Sequence, residues 1–177
     1  ATATGPDTLL VAGGQPGMAA ALAGGEVNAA VRALQSRTRR IGSVCTGALF
    51  LSQAGVLSGR RATTHWRHIG ELAASDPTIT VEPDAIYVCD ESVWTSAGVT
   101  AGMDLALALI ADDLGEEVVL DVAREHVIYR VRDGGQSQFS GDLMIQHART
   151  GRLERVVEAV RAAPAKRWNT ESLADLA

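Results

Sequence analysis

The sequence predicts an α/β domain on a mainly parallel sheet, and three observations carry that prediction. Short apolar runs at Thr8-Leu9-Leu10-Val11, Arg40-Ile41-Gly42-Ser43-Val44 and Val93-Trp94-Thr95 each end in small residues: Ala12-Gly13-Gly14, Cys45-Thr46-Gly47 and Ser96-Ala97-Gly98. Such runs read as strands buried on both faces, which is how parallel strands sit beneath helices. Helical patterns alternate with them, which places helices over both faces of the sheet. The composition agrees. At 177 residues, 46% hydrophobic and 21% charged, the chain suits one domain of ordinary size with a small appendage.

The elements follow in order. After the strand ending at Gly13-Gly14, Glu26 to Gln35 carries Val27, Val31 and Leu34 at helical spacing, and the basic residues from Arg37 to Arg40 close it. The strand before Cys45 leads into a helix from Gly47 to Ala54, stopped by Gly55. Arg61-Ala62-Thr63-Thr64 is a short strand ending at His65-Trp66, and Arg67 to Ala74 is helical up to Asp76-Pro77. Ile79-Thr80-Val81 and Ile86-Tyr87-Val88 are strands on either side of Pro83-Asp84. Ala101 to Asp113 is apolar on nearly every side and therefore buried, and Glu116 to Arg130 is amphipathic with acids in its first turn. Beyond Tyr129 the character changes: Arg132 to Ser140 is polar and glycine-containing, of linker type. Gly151 to Ala163 is an amphipathic helix stopped by Pro164, and Asn169 or Thr170 caps a last short helix running to Ala177. The expected division is residues 1–140 for the α/β domain and 141–177 for a short α-helical tail.

Cys45 stands at the break between a strand and a helix, with Ser43 and Gly47 two places to either side. A nucleophile elbow requires that framing, because small residues let strand and helix pack closely around a strained turn. The thiol would then project from the carboxyl edge of the sheet beside a helix amino end, where partial positive charge favours thiolate. A free cysteine is also commonly a small buried apolar group, and the local pattern leaves both readings open. The other strand ends place Gly13-Gly14, Thr64-His65 and Ala97-Gly98-Val99-Thr100 on the same crevice. There the N–H groups of Thr46 and Gly14 are candidate oxyanion donors, and His65 is the candidate base. His65 beside Trp66 also reads as a packed, hydrogen-bonded group, and Thr46 as a donor to a small ligand or as a helix cap. Gly98, Val99 and Thr100 complete the candidate ligand site. Trp66 and Trp94 are candidate walls, and Cys89, without such framing, is structural.

Several classes are disfavoured. Two cysteines and four histidines without repeated ligand spacing give no metal site, and no cofactor motif is present. No run of eighteen apolar residues suggests a membrane span and no signal-peptide pattern opens the chain, so a cytoplasmic protein without a membrane partner is expected. The net charge of −5 is uneven. Residues 1–140 hold 10 basic and 16 acidic side chains, and residues 141–177 hold 6 and 5. The main domain is thus not a nucleic-acid binder by charge, and the tail is only mildly permissive.

Taken together, Val11-Ala12-Gly13-Gly14, Ser43-Val44-Cys45-Thr46-Gly47-Ala48, Arg60 to Trp66 and Thr95 to Asp104 resemble the ThiJ/PfpI family of the class I glutamine-amidotransferase-like superfamily. Gly134-Gly135-Gln136-Ser137-Gln138-Phe139-Ser140 is similar to the linker of AraC-type regulators of the GlxA group, in which an amidase-like domain precedes a helix-turn-helix domain. The resemblance implies a three-layer flavodoxin-like sandwich with Cys45 at the elbow, usually dimeric. It also implies that the tail begins a DNA-binding domain whose recognition helix lies beyond Ala177, and that the domain's first strand, with the acidic partner of the site, precedes the present sequence. Proteases of the family carry His directly after the nucleophile, where this chain has Thr46. Any activity implied is therefore that of a cysteine-dependent hydratase or amidase, as in the isonitrile hydratases. Two functions are expected from this: a ligand-sensing domain of a transcription regulator that contacts DNA through the second domain, or an enzyme acting through Cys45 on a small nitrogen-containing substrate.

Overall fold

A computed structural model describes residues 5–14, 17–129, 131–138 and 154–176. The chain divides into two compact units, Ala1–Gln138 and Phe139–Ala177.

The first unit is organised by strands β1 (Thr8–Ala12), β2 (Arg40–Val44), β5 (Tyr87–Asp90) and β6 (Val93–Ser96), in the order β1-β2-β6-β5. β1, β2 and β6 are parallel, with Val11 opposite Ser43 and Ser43 opposite Thr95. β5 runs antiparallel to β6, with Cys89 opposite Trp94. The carboxyl ends of the three parallel strands therefore lie side by side. Helices α1 (Met18–Gly24), α2 (Glu26–Leu34), α3 (Gly47–Gln53) and α4 (Ile69–Ser75) pack with one face, where Val11, Ile41 and Val93 meet Leu49, Leu51 and Leu72. Helices α5 (Val99–Leu114) and α6 (Glu116–Glu125) belong to the other, where Trp94 packs on Leu105 and Leu109. The result is a three-layer, flavodoxin-like α/β sandwich.

Three expectations are corrected. The strand expected at Arg61–Thr64 does not join the main sheet: only Arg61–Ala62 (β3) is paired, with Thr80–Val81 (β4), as a separate two-stranded parallel sheet. Thr63 then docks laterally, its N–H donating to Thr95 Oγ1 at 2.9 Å. The helix expected to reach Arg130 closes at Glu125, because Val127 adopts φ 55° and its N–H turns back to Arg124 O. The polar segment read as linker-type is laid against the domain over residues 131–138. There Gly134 O accepts from the N–H groups of Ile86 and Tyr87, Ser137 bridges Ala85, and Gln138 N–H donates to Asp84 O. A side chain on Gly134 would collide with Tyr87, so glycine serves here for close packing rather than for flexibility. Phe139, Ser140 and residues 141–153 lie outside the described residues.

An ion-pair cluster built around the buried Arg40 ties β2 to the end of α5. Arg40, 6% exposed, donates to Asp112 at 2.8 Å and to Asp113, and Arg39 bridges Asp113 to Asp7, each at 2.8 Å. Arg40 also donates to Thr8 Oγ1. The carboxyl group of Asp113 is held below the ordinary Asp value, chiefly by the Arg40 hydrogen bond.

The second unit contains α7 (Glu154–Ala162) and α8 (Thr170–Ala174). Trp168 Nε1–H donates to Ala163 O at 3.1 Å, and the Lys166 ammonium lies 4.2 Å from the indole centroid. Asn169 and Ser172 form a reciprocal capping box at the start of α8, which explains why the chain re-enters a helix at Thr170.

Candidate functional site

The site begins with the backbone of Cys45. Its φ of 58° lies in the left-handed region, unfavourable for a residue with a Cβ. The surroundings impose this conformation. Cys45 N–H donates to Ser96 O at 2.9 Å, and Cys45 O accepts the Thr64 hydroxyl at 2.9 Å. On the helix side, any Cβ on Gly47 would fall far inside the Val11 carbonyl oxygen, and one on Gly13 would collide with Thr46. Strand β1 and helix α3 are thereby brought into contact, and Cys45 remains half-buried at the corner.

Cys45 lines a pocket of about 390 Å³ together with His65, Trp66, Ile86, Gly98, Thr100, Arg132 and Gln138. Ala97, Val99 and Ala101 complete the wall. His65 reaches it because Thr63 and Thr64 are held to Thr95 and Cys45, and its ring lies against Gly98. Gly98, Val99 and Thr100 form the opening of α5. Gln138 is held by its side-chain amide, which donates to Thr64 O and Pro83 O at 3.0 Å and to Ala85 O at 3.2 Å.

The remaining sequence-derived residues are disposed differently. Gly14 lies in an adjoining, apolar depression with Val44, Gly102 and Met103, which Cys45 and Val99 also border. Its N–H donates to Thr46 Oγ1 at 3.1 Å, so the expected oxyanion donor already has an acceptor. Thr46 is 2% exposed and its side chain lies beneath the site rather than in its wall. It occupies the N-cap position of α3, but its side chain makes no capping bond. Trp94 is buried in the core and is not a wall of the Cys45 pocket, whereas Trp66 is such a wall and carries Arg67 at 4.9 Å from its ring. Cys89 is exposed on β5, with its thiol donating to Glu91 O at 3.6 Å.

His65 is engaged as well. Its Nδ1 accepts the N–H of Arg67 at 3.3 Å and caps the short 3-10 turn Trp66–His68. A neutral ring that accepts at Nδ1 carries its proton on Nε2, and so offers a donor rather than a base. Burial, followed by the neighbouring His68 and Arg67, pushes the imidazole below its ordinary value and favours that neutral form. No carboxylate bonds the ring among the described residues.

Arg132 and Gln138 were not recognisable as site residues in the sequence, since both lie in a stretch whose composition reads as linker. Among the described residues no cluster of His, Cys, Asp and Glu could hold a metal ion, and no helix is long and apolar enough to cross a membrane.

The profile of the DJ-1/PfpI family matches residues 1–112. The chain belongs to the DJ-1/PfpI family. This DJ-1/PfpI chain is 37% identical over 102 residues to the HTH-type transcriptional regulator CdhR of Pseudomonas aeruginosa, a match covering 58% of this chain and 30% of the regulator. It is 32% identical over 145 residues to an isonitrile hydratase of Pseudomonas putida, covering 80% of this chain and 57% of that protein. Among solved structures, a ThiJ/PfpI family protein from Pseudomonas syringae superimposes with a TM-score of 0.62 at 30% identity, covering 96% of this chain and 64% of that one. The present chain thus spans a third to little more than half of these curated relatives.

Proposed function

We propose that the first unit is the ligand-sensing domain of an AraC-type transcription regulator. In this reading a small metabolite binds beside Cys45, and DNA is contacted, as a homodimer, by a helix-turn-helix domain that the second unit begins. The kinship with HTH-type regulators supports the regulator. The observation that supports the sensing role is the engagement of the elbow's polar groups: Gly14 N–H is donated to Thr46 and His65 Nδ1 is taken by Arg67, so among the described residues Cys45 faces a pocket without an assembled base. Bound metabolite would act on the second unit through the Gln136 to Phe139 linker.

The test is DNA binding by the full-length protein. Salt-sensitive, sequence-selective binding that shifts when small nitrogen-containing compounds are added is expected. Its absence removes the reading.

A second reading is supported by the alignment with isonitrile hydratase, which extends over 80% of the chain. Here Cys45 adds to a small isonitrile, nitrile or amide. Turnover of such a panel that is abolished in Cys45→Ser supports the enzyme, and unchanged turnover ends it.

A further inference from the structure

The wall of the Cys45 pocket is unequal in charge. Arg132 lies in it, while no aspartate or glutamate lines it among the described residues. The arginine is fixed from behind: Nε donates to Asp104 Oδ2 at 3.0 Å, and Nη2 donates to the same oxygen at 2.5 Å and to Thr100 Oγ1 at 3.3 Å. Asp104 is 5% exposed on α5, and the Arg132 side chain is 32% exposed. One edge of the guanidinium is thus held by a buried carboxylate. Both N–H groups of Nη1 are left without a partner among the described residues. A guanidinium keeps its charge and presents its donors in a rigid plane, so an arginine clamped on one edge offers a preset oxyanion site on the other.

The remaining wall has the same polarity. The sixteen-residue helix α5 opens into the pocket through Gly98, Val99 and Thr100 without a side-chain cap, which adds the partial positive charge of its first N–H groups. His65, accepting at Nδ1, contributes a donor at Nε2. Ile86, Ala97 and Trp66 supply apolar surface for the rest of a small molecule.

We propose that the Cys45 pocket binds its small molecule through a carboxylate, anchored on Arg132 Nη1 beside Thr100, with Asp104 as the residue that positions the arginine. A carboxylate is favoured over a phosphate monoester because Asp104 already balances the formal charge of Arg132, so each further negative charge is met only by the free Nη1 donors and the α5 N-terminus, and a dianion is opposed more strongly than a monoanion. The proposal rests on the reading of this pocket as a sensing site and adds the chemical class of what it senses.

The test uses the intact chain and matched probes: straight-chain carboxylates of two to eight carbons, the primary amide of each, and the corresponding alkyl phosphates. Binding is read as protection of Cys45 from N-ethylmaleimide, with Cys45 and Cys89 peptides resolved by mass spectrometry. Carboxylates are expected to protect Cys45 at least about tenfold more effectively than their amides, the ratio for one charge-assisted hydrogen bond. Arg132→Gln is expected to erase that ratio, and Arg132→Lys to retain part of it, with thermal melting verifying the fold of each. Should Arg132→Gln fail to fold, the wild-type ratio and Arg132→Lys decide. Equal or better protection by amides overturns the carboxylate but leaves a sensing pocket standing. Preferential protection by alkyl phosphates also overturns it, as does no protection by any series. In that last case the DNA-binding experiment judges the sensing reading separately.

Discussion

The hydroxyl of Thr64 donates to the carbonyl of Cys45 at 2.9 Å, joining the small β3–β4 side of the domain to the elbow of the main sheet. Thr64 is fully buried, and its own carbonyl accepts the amide of Gln138. Thr64→Val keeps the shape and removes the donor. It is expected to lower stability by about 1–2 kcal/mol in urea unfolding, with Thr64→Ser close to wild type.

The left-handed backbone of Cys45 and the contact at Gly47 give the elbow a distinctive mutational profile. Cys45→Ala is expected to be tolerated. Cys45→Val, which places a β-branched side chain at φ 58°, is expected to be about 1–3 kcal/mol less stable than Cys45→Ala. Gly47→Ala drives a methyl into the Val11 carbonyl and is expected to cost about 3 kcal/mol. Chemical denaturation of the three variants checks the order.

His65 supplies a pH dependence of known sign. Its folded-state value lies below the ordinary 6.5, so the unfolded chain binds the proton more readily. Stability linked to this group is complete above pH 6.5 and is lost as the pH falls through the folded value. An NMR titration is expected to give a midpoint below 6.5 for this ring. His65→Asn, whose side-chain oxygen can still accept from Arg67 N–H, is expected to keep the fold and lose this component of the pH profile.

The Arg40 cluster acts lower on the pH scale. Because the folded Asp113 carboxyl is held below 3.8, its contribution is present above that value and lost as the pH falls through the folded one. Asp113→Asn is expected to destabilise the protein at neutral pH. The difference from wild type should shrink as acid titrates the carboxylate, measured by thermal melts at successive pH values.

Gln138 pins the segment that follows α6. Gln138→Ala removes the donors to Thr64, Pro83 and Ala85 and is expected to speed hydrogen exchange at Gln136 and Gln138, while β2 and β6 retain wild-type protection.

The parallel strands and the elbow were legible because their signals are local. An apolar run closing on Gly13-Gly14, and Ser43 and Gly47 flanking Cys45, place the thiol at the corner before any long-range pairing is known. The pairing of Arg61–Ala62 with Thr80–Val81 was not legible, since neither strand carries a mark of its partner. Nor was the donation from Gly14 to Thr46, which spans 32 residues and depends on how β1 meets α3. Arg132 was obscured differently: its neighbourhood has the composition of a linker, and only packing against Ile86, Tyr87 and Asp104 turns it into part of the site.

The bonds and close contacts that shape the elbow run from Cys45 N–H to Ser96, from Thr64 to Cys45 O, and between Gly47 and Val11; none of them uses the sulfur. The corner is therefore a frame independent of the thiol it displays. A substitution that changes only the sulfur alters what the corner displays and leaves the bonds that shape it in place.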